Sequence, residues 1–247
     1  MTKNHPDQDK PSPERNLVFL EPEDYDQAKT VLYDSVLRLW DVVDNLSRLR
    51  PKHTPDYHVS IFGSARVQPD SEEYANIRRL AENLVRMGCH IVTGGGPGLM
   101  QAANEGATTG APDNPERSIG IRVDLEFEQA ANPFVGRVYE HKTFFSRLHH
   151  FVLRSHGFVV VGGGIGTTLE LMMIWQLLQV RKLYGTPLVL VGDMWEELVG
   201  WADKHMVQAP PGYANPQDMQ IPTCVSQIDE AIAIIQKDYD DWQAGIR

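Results

Sequence analysis

Short apolar runs alternate with amphipathic segments along most of the chain. Residues 158–161 and 187–191 consist almost entirely of Val, Leu and Phe, which is typical of parallel strands that are covered on both faces. The segments between such runs repeat apolar residues every three or four positions, the period of a helix packed on a core. The predicted strands are 57–62, 89–93, 118–123, 138–140, 158–161 and 187–191, and the predicted helices are 71–87, 99–108, 142–155, 167–180, 194–206 and 226–238.

The order of these elements predicts the fold class. Strands that alternate with helices build a parallel sheet with helices on both faces. We therefore predict an α/β fold, a Rossmann-like doubly wound parallel sheet, in a single domain over residues 51–247. Ser226 and Asp229 have the spacing of a capping box for the last helix.

The first fifty residues have a different composition. Residues 1–20 contain three prolines and few large apolar side chains, which predicts a disordered tail. Residues 21–50 show a helical apolar period and predict an N-terminal helix. This helix either packs on the domain or across a dimer seam, or it acts as a lid over the site.

Charge and cysteine content narrow the partners and the compartment. The 247 residues include 23 Lys and Arg against 33 Asp and Glu, a net charge of -10, which argues against a nucleic acid polymer or an anionic membrane as partner. The two cysteines are too few for a disulfide framework and suit a reducing compartment, so we expect a cytoplasmic protein. No apolar stretch has the length of a signal peptide core or a membrane span.

Three glycine-containing segments follow predicted strands, where sheets of this class bind ligands. They are residues 63–66, 93–100 and 162–170. The second has four glycines within positions 94–98, which allows a ligand to approach the main chain closely. In the third, backbone N–H groups at a helix start and the hydroxyls of Thr167 and Thr168 form a suitable phosphate cradle.

Several chemistries are excluded by what these segments lack. The third segment has no lysine, so it is not a Walker-type phosphate loop. The first strand and helix lack a clear dinucleotide fingerprint, which disfavours an NAD-dependent oxidoreductase. The four histidines between 141 and 156 lack the His-Glu-x-x-His pattern, and we predict no metal site.

Glu170 and Arg147 are the candidate catalytic residues. Glu170 is expected in the first turn of the helix that follows the third segment, where a carboxylate is also an ordinary partner of the helix dipole. The helix carrying Arg147 runs into the strand before that segment. Both side chains are therefore expected to meet at one edge of the sheet.

Four segments resemble the motifs of the LOG (Lonely Guy) family, whose members are often labelled lysine decarboxylases. The segments are SIFGSAR, TGGGPGLMQAANEGA, FEQAANPFV and FFSRLHHFVLRSHGFVVVGGGIGTTLE, and the resemblance covers roughly residues 59–191. The family signature P-G-G-x-G-T-x-x-E maps onto residues 162–170, with its arginine at Arg147. The signature's proline is replaced by Gly162, and the lysine that normally follows the arginine is replaced by Leu148.

The resemblance implies a nucleoside 5′-monophosphate phosphoribohydrolase. Such an enzyme cleaves the N-glycosidic bond of AMP or of cytokinin riboside monophosphates, and it yields a free base and ribose 5-phosphate. Glu170 would act on the anomeric carbon, and Arg147 would position the nucleotide. The residues implied to bind substrate or phosphate are Ser64, Gly95, Gly96, Glu128, Asn132, Gly163, Gly164, Gly166, Thr167 and Thr168.

The same resemblance implies a homodimer or a higher homo-oligomer, and no cofactor. Glu128 and Asn132 have an alternative role in a polar loop between the sheet and a dimer mate. No lysine has the surroundings of a pyridoxal phosphate site, so lysine decarboxylation is rejected. The alternative function is a non-catalytic nucleotide or molybdenum-cofactor carrier on the same fold, which Gly162 and Leu148 favour.

Overall fold

The computed structural model describes residues 29–36, 55–124 and 130–246. Contacts divide the chain into two units, residues 1–50 and residues 51–247. In the first unit, residues 29–36 form a helix, α1. The predicted tail, the rest of the predicted N-terminal helix and the candidate residue Glu128 lie outside the described residues.

The strands of the second unit form one sheet. In the described residues it has seven strands in the order β4-β3-β2-β1-β5-β6-β7, and each neighbouring pair is parallel. The prediction of a parallel sheet is confirmed. The strands are β1 His58–Phe62, β2 His90–Thr93, β3 Ser118–Val123, β4 Arg137–His141, β5 Gly157–Val160, β6 Leu188–Val191 and β7 Thr223–Val225.

Helices cover both faces of this sheet, as a doubly wound fold requires. One apolar cluster joins the sheet to α2, α3 and α7, and includes Leu80, Ala103 and Ile235. The other joins it to α4, α5 and α6, and includes Phe151 and Ile174. None of the helices in the described part of the chain is long and apolar enough to cross a bilayer. The helices are α2 Glu72–Met87, α3 Leu99–Gly110, α4 Phe144–Arg154, α5 Ile165–Gln179, α6 Asp193–Ala202 and α7 Ile228–Gln243.

The direction of winding reverses at the centre of the sheet. β1 pairs with β2 on one side and with β5 on the other, so the chain leaves β1 and β5 toward opposite faces. Such a switch point opens a crevice at the carboxyl ends of the two strands, where ligands bind in sheets of this class. Two of the glycine segments, 63–66 and 162–170, start at this crevice.

Two details near the C-terminus differ from the sequence prediction. β7 was not predicted, because three residues at a sheet edge carry too little apolar pattern to be recognised. Helix α7 is capped by Gln227 and Glu230 rather than by Ser226 and Asp229. The Asp229 carboxylate instead accepts a hydrogen bond of 2.7 Å from Arg79 of α2.

Candidate functional site

Arg147 and Glu170 form an ion pair at the carboxyl edge of the sheet. Arg147 lies in the first turn of α4, which Thr143 caps, and its Nη1 lies 3.0 Å from Glu170 Oε1. Arg147 Nε donates to the carbonyl of Ile121 at 3.0 Å, and the guanidinium lies over the Phe151 ring, 5.2 Å from its centre. Both charged side chains are largely shielded from solvent. The structure thus brings the two candidate catalytic residues together and fixes the arginine from three sides.

Burial changes the acidity of Glu170. Desolvation raises the pKa of this carboxyl to about 7, and the charge and hydrogen bond of Arg147 oppose the rise. The sequence predicted Glu170 in the first turn of α5. Because the helix begins at Ile165, Glu170 lies in its second turn instead. With a pKa of about 7, the Glu170 carboxyl group ionises near neutral pH.

The second glycine segment packs directly against this ion pair. A Cβ at Gly94 would lie 2.5 Å from Arg147 Nη2, so the missing side chain gives the guanidinium its place. Gly95 and Gly98 have positive φ angles of 72° and 69°, which favour glycine. A Cβ at Gly98 would also overlap the carbonyl oxygen of Ser64. These glycines are needed for the turn and for the close approach of neighbouring groups.

Asn132 holds the second glycine segment in place. Its backbone N–H donates to the Gly95 carbonyl at 2.9 Å, and its side-chain Nδ2 donates to the Gly96 carbonyl and to Asn104 Oδ1, both at 2.9 Å. The Gly96 N–H belongs to the same peptide as the Gly95 carbonyl, and in a trans peptide these two groups point in opposite directions. Because the Gly95 carbonyl faces Asn132, the Gly96 N–H points away from it. The Asn132 amide thus bonds to protein partners within the chain.

Buried polar groups extend this support into the sheet. Asn104 on α3 accepts a hydrogen bond of 2.7 Å from the Thr93 hydroxyl and donates to the Ser118 hydroxyl at 3.0 Å. The Gly95 N–H donates to Thr93 Oγ1 at 2.9 Å. Side chains from β2, α3, β3 and the Asn132 loop therefore fix the same glycine turn.

Ser64 links all three glycine segments. Its N–H donates to the Gly162 carbonyl at 2.9 Å, and its carbonyl accepts from the Leu99 N–H at 2.8 Å. Its hydroxyl oxygen accepts from the Arg66 N–H at 3.1 Å, which leaves the hydroxyl proton available for another partner. The three segments therefore form one continuous rim around the crevice.

The helices that follow the second and third segments begin without a side-chain cap. The N-cap residues of α3 and α5 are Gly98 and Gly164, and neither helix has an acidic residue in its first turn. By contrast, Ser71 caps α2 and Thr143 caps α4. Uncapped N–H groups and the positive end of the helix dipole favour an anion. The α5 start therefore offers binding groups to a phosphate, and so does the α3 start apart from the Leu99 N–H, which donates to the Ser64 carbonyl.

The two threonines of the third segment have different surroundings. Thr167 is buried, and a Cβ at Gly163 would overlap its side chain. The Thr168 hydroxyl donates to the Gly164 carbonyl at 3.0 Å, so only its lone pairs remain for another partner. Gly164 and Gly166 are exposed, and a Cβ would meet nothing within 4 Å at either position.

The comparison with protein families places the chain. A family model described as "Possible lysine decarboxylase" matches residues 100–235, more than half of the chain. The chain belongs to this family. The match agrees with the LOG resemblance, since LOG proteins often carry that label.

A curated relative of this family member is the pyrimidine/purine nucleotide 5′-monophosphate nucleosidase of Escherichia coli K12. The two proteins are 31% identical over 129 residues. The match covers 50% of this chain but only 28% of the nucleosidase. The chain thus corresponds to a little over a quarter of its relative.

Solved structures of low sequence identity share the fold. The molybdenum cofactor carrier protein of Chlamydomonas reinhardtii superimposes with a TM-score of 0.54 at 16% identity, covering 75% of this chain and 99% of that protein. The molybdenum cofactor binding protein of Rippkaea orientalis has the same TM-score and identity, covering 75% and 98%. These similarities confirm the Rossmann-like fold class.

Two positions where the family signature is altered have different surroundings. Leu148 is buried, with 8% of its surface exposed, so it contributes to packing where the signature has a lysine. Gly162 lies against the carboxylate of Glu73, which a Cβ would overlap. Sequence reasoning did not select Glu73, since no motif connects residues 89 positions apart.

Lys142, the lysine nearest to Arg147 in sequence, is exposed, and no lysine in the described ranges pairs with Glu170.

His141 Nε2 and His150 Nδ1 lie 2.9 Å apart beside the site. Within residues 29–36, 55–124 and 130–246, no three His, Cys, Asp or Glu side chains are grouped to hold a metal.

Proposed function

We propose that the chain is a nucleoside 5′-monophosphate phosphoribohydrolase. Its substrates are AMP or cytokinin riboside monophosphates, and its products are the free base and ribose 5-phosphate. The observation that carries this proposal is the buried Arg147–Glu170 pair, with a separation of 3.0 Å, on helices that meet at a rim of glycine turns. The similarity to a nucleotide 5′-monophosphate nucleosidase supports the same reaction class.

The reaction breaks the bond between the anomeric carbon and the base nitrogen. Positive charge develops on the ribose as the bond lengthens, as in other glycoside hydrolyses. The ionised Glu170 carboxylate stabilises that charge and accepts a proton from the attacking water. The departing base takes up a proton from solvent, and the hydroxyl from water on the anomeric carbon completes ribose 5-phosphate. Glu170 then releases the proton of the attacking water to solvent, which restores the carboxylate. Arg147 opposes protonation of the carboxylate and holds it in position.

The 5′-phosphate binds at the start of α5. The backbone of Gly163, Gly164 and Gly166 and the side chains of Thr167 and Thr168 surround this position. An uncapped helix start supplies N–H donors and a favourable dipole for the dianion. On the other side of the crevice, Ser64, Gly95 and Gly96 line the ribose and the phosphate. Asn132 acts indirectly, by holding the glycine turn.

Base release from nucleotides tests the proposal. Purified protein is incubated separately with AMP, GMP, CMP and UMP, and the free base and ribose 5-phosphate are quantified by chromatography. We expect release from at least one nucleotide, and a loss of about 10²- to 10⁴-fold in Glu170→Gln. Equal release by both proteins would refute the role of Glu170.

A second candidate function is a carrier that binds a nucleotide or the molybdenum cofactor without cleaving it. The buried Leu148 favours it, because the site then has one cation fewer than the family signature. The molybdenum cofactor proteins that share the fold add support. Binding of AMP that remains intact after prolonged incubation would favour the carrier over the hydrolase.

The assembly proposed for this function is a homodimer or a higher homo-oligomer. Phe145 on α4 and Ile165 on α5 flank the catalytic pair and are 80% and 89% exposed. Apolar side chains that are so exposed beside a site suit a contact with a second copy. Light scattering after size exclusion tests this, and a monomer at all concentrations would refute it.

We place the protein in the cytoplasm, where its free cysteines remain reduced.

A further inference from the structure

The carboxylate of Glu73 lies at the start of the third glycine segment. Glu73 is in the first turn of α2, and its side chain is exposed. A Cβ at Gly162 would overlap Glu73 Oε1 and would lie 3.5 Å from its Cδ. The carboxylate thus occupies space that a side chain at position 162 would take, and it would have to move away from such a side chain. Gly162 also accepts the Ser64 N–H, so Glu73 borders the central crevice.

The negative charge of Glu73 is not neutralised by a partner. In the part of the chain that the structure describes, Glu73 has no ion pair and no hydrogen bond. The adjacent segment, residues 163–168, is the phosphate position of the proposed function. One free carboxylate therefore stands beside a place that otherwise favours anions.

We propose that Glu73 is a specificity-determining residue that selects nucleoside monophosphates over di- and triphosphates. This inference rests on the proposed phosphate position. The 5′-phosphate of a monophosphate is held by the N–H groups of the α5 start, whereas additional phosphates extend beyond them into the field of Glu73. At a separation of ~6 Å in a water-like medium, Coulomb repulsion weakens binding about threefold for each added charge. A triphosphate is thus disfavoured by about tenfold relative to a monophosphate.

Binding of AMP, ADP and ATP to wild type and to Glu73→Gln tests the proposal. Affinities are measured by calorimetry with EDTA present, so that no metal shields the phosphates. At an ionic strength of about 0.01 M, where the Debye length is about 30 Å, we expect ATP to gain about tenfold in affinity relative to AMP in Glu73→Gln. The gain shrinks at high salt, because the Debye length falls to about 3 Å at 1 M. An ATP-to-AMP ratio that stays within twofold of wild type overturns the proposal.

Glu72→Gln is the matched control. Glu72 precedes Glu73 on the same helix turn and is also exposed, but it does not reach Gly162. We expect its ATP-to-AMP ratio to stay near that of wild type. Equal shifts in both variants would show a general field of the helix and would overturn the specific role of Glu73.

Gly162→Ala provides an independent variant. The added methyl group forces the Glu73 carboxylate away from the loop, so the ATP-to-AMP ratio should rise in this variant as well. In a Glu73→Gln background the same alanine should leave the ratio unchanged, since no charge remains to be displaced. An equal effect of the alanine in both backgrounds would overturn the link between the two residues.

The outcomes separate this inference from the proposed function. If AMP is cleaved but the ratio is unaffected by Glu73→Gln, only the inference fails. If AMP is bound but not cleaved, the hydrolase fails and the ratios still test Glu73. If no variant binds any nucleotide, both are overturned.

Discussion

Arg147 Nη1 and Glu170 Oε1 are 3.0 Å apart, on two helices that enter and leave the same strand. α4 leads into β5 and α5 leads out of it, so a single short strand sets the spacing of the pair. The pair is buried, and a buried carboxylate is costly unless a cation and hydrogen bonds compensate it. Arg147 provides both, and it is itself fixed by the Ile121 carbonyl. Burial raises the pKa of Glu170, and Arg147 limits that rise.

The pH dependence of base release reports this acidity. Glu170 acts as a carboxylate, and its pKa is about 7 because of burial. The value of kcat/KM should therefore fall as the pH decreases through about 7, and it should reach its maximum about one pH unit above that value. The measurement is kcat/KM for AMP between pH 5.5 and 9, which reports ionisations of the free enzyme and free substrate. A flat profile across pH 6.5 to 8 would contradict the assignment.

Removing the arginine charge should move this limb to higher pH. In Arg147→Gln the charge and the charged hydrogen bond that lower the pKa of Glu170 are absent, so protonation persists at higher pH. The limb of kcat/KM should shift upward, whereas the phosphate of the substrate, whose second pKa is about 6, is unaffected. The activity of Arg147→Gln should be higher at pH 9 than at pH 7, because more of Glu170 is then ionised. A limb unchanged from wild type would show that another group titrates.

Asn132→Ala should loosen the glycine turn. The substitution leaves the Gly96 carbonyl and Asn104 Oδ1 without one donor each, which costs about 1–3 kcal/mol of unfolding free energy. Because the turn borders the crevice, KM for the nucleotide should rise more than kcat falls. Urea denaturation and steady-state kinetics measure the two effects. Asn83→Ala is the control, since Asn83 bonds only to its own helix, and a similar loss there would refute the argument.

His58 should make the protein sensitive to acid. Burial, with Arg154, His90 and His156 nearby, lowers the pKa of His58 to about 3. Its Nδ1–H donates to the Asp56 carbonyl at 3.1 Å, so a second proton would have to sit on Nε2, which is buried without a partner.

The unfolded chain binds this proton near pH 6.5, before the folded state does. The contribution of His58 to stability is therefore complete above about pH 6.5 and is lost as the pH falls toward 3. Between pH 7 and pH 5 the loss is about 2 kcal/mol. Denaturation of His58→Phe should show a smaller loss over this range. The exposed His205, changed to Gln, should leave the loss unchanged, and an equal effect of both variants would contradict the prediction.

The fold was predictable because its signals are local. The bounds of β3, Ser118–Val123, agree with the prediction, and the central strands were recognised from their continuous apolar runs. The meeting of Arg147 with Glu170 followed from element order, since helices flanking one parallel strand begin or end at defined edges of the sheet. β7 was missed because it consists of three residues with little apolar character.

Polar contacts that do not follow from element order were not predictable. Asn132 bonds to Gly96 across 36 positions, and Glu73 meets Gly162 across 89. A helical or strand period says which face of an element is buried, but not which polar group a side chain on that face will meet. The raised pKa of Glu170 also depends on burial by several elements at once, so the position of the residue in the motif did not reveal it.

The buried amides of Asn104 and Asn132 have a consequence for how the site loses its structure. The Gly95 N–H bonds to Thr93, and Thr93 bonds to Asn104, which also contacts the Asn132 loop and Ser118. The glycine turn is thus linked through side-chain hydrogen bonds to β2, α3 and β3. We therefore expect opening of the turn to be coupled to unfolding of the sheet. A nucleotide that binds the turn should therefore raise the melting temperature of the whole 51–247 unit, and its effect should not be limited to reduced motion of one loop.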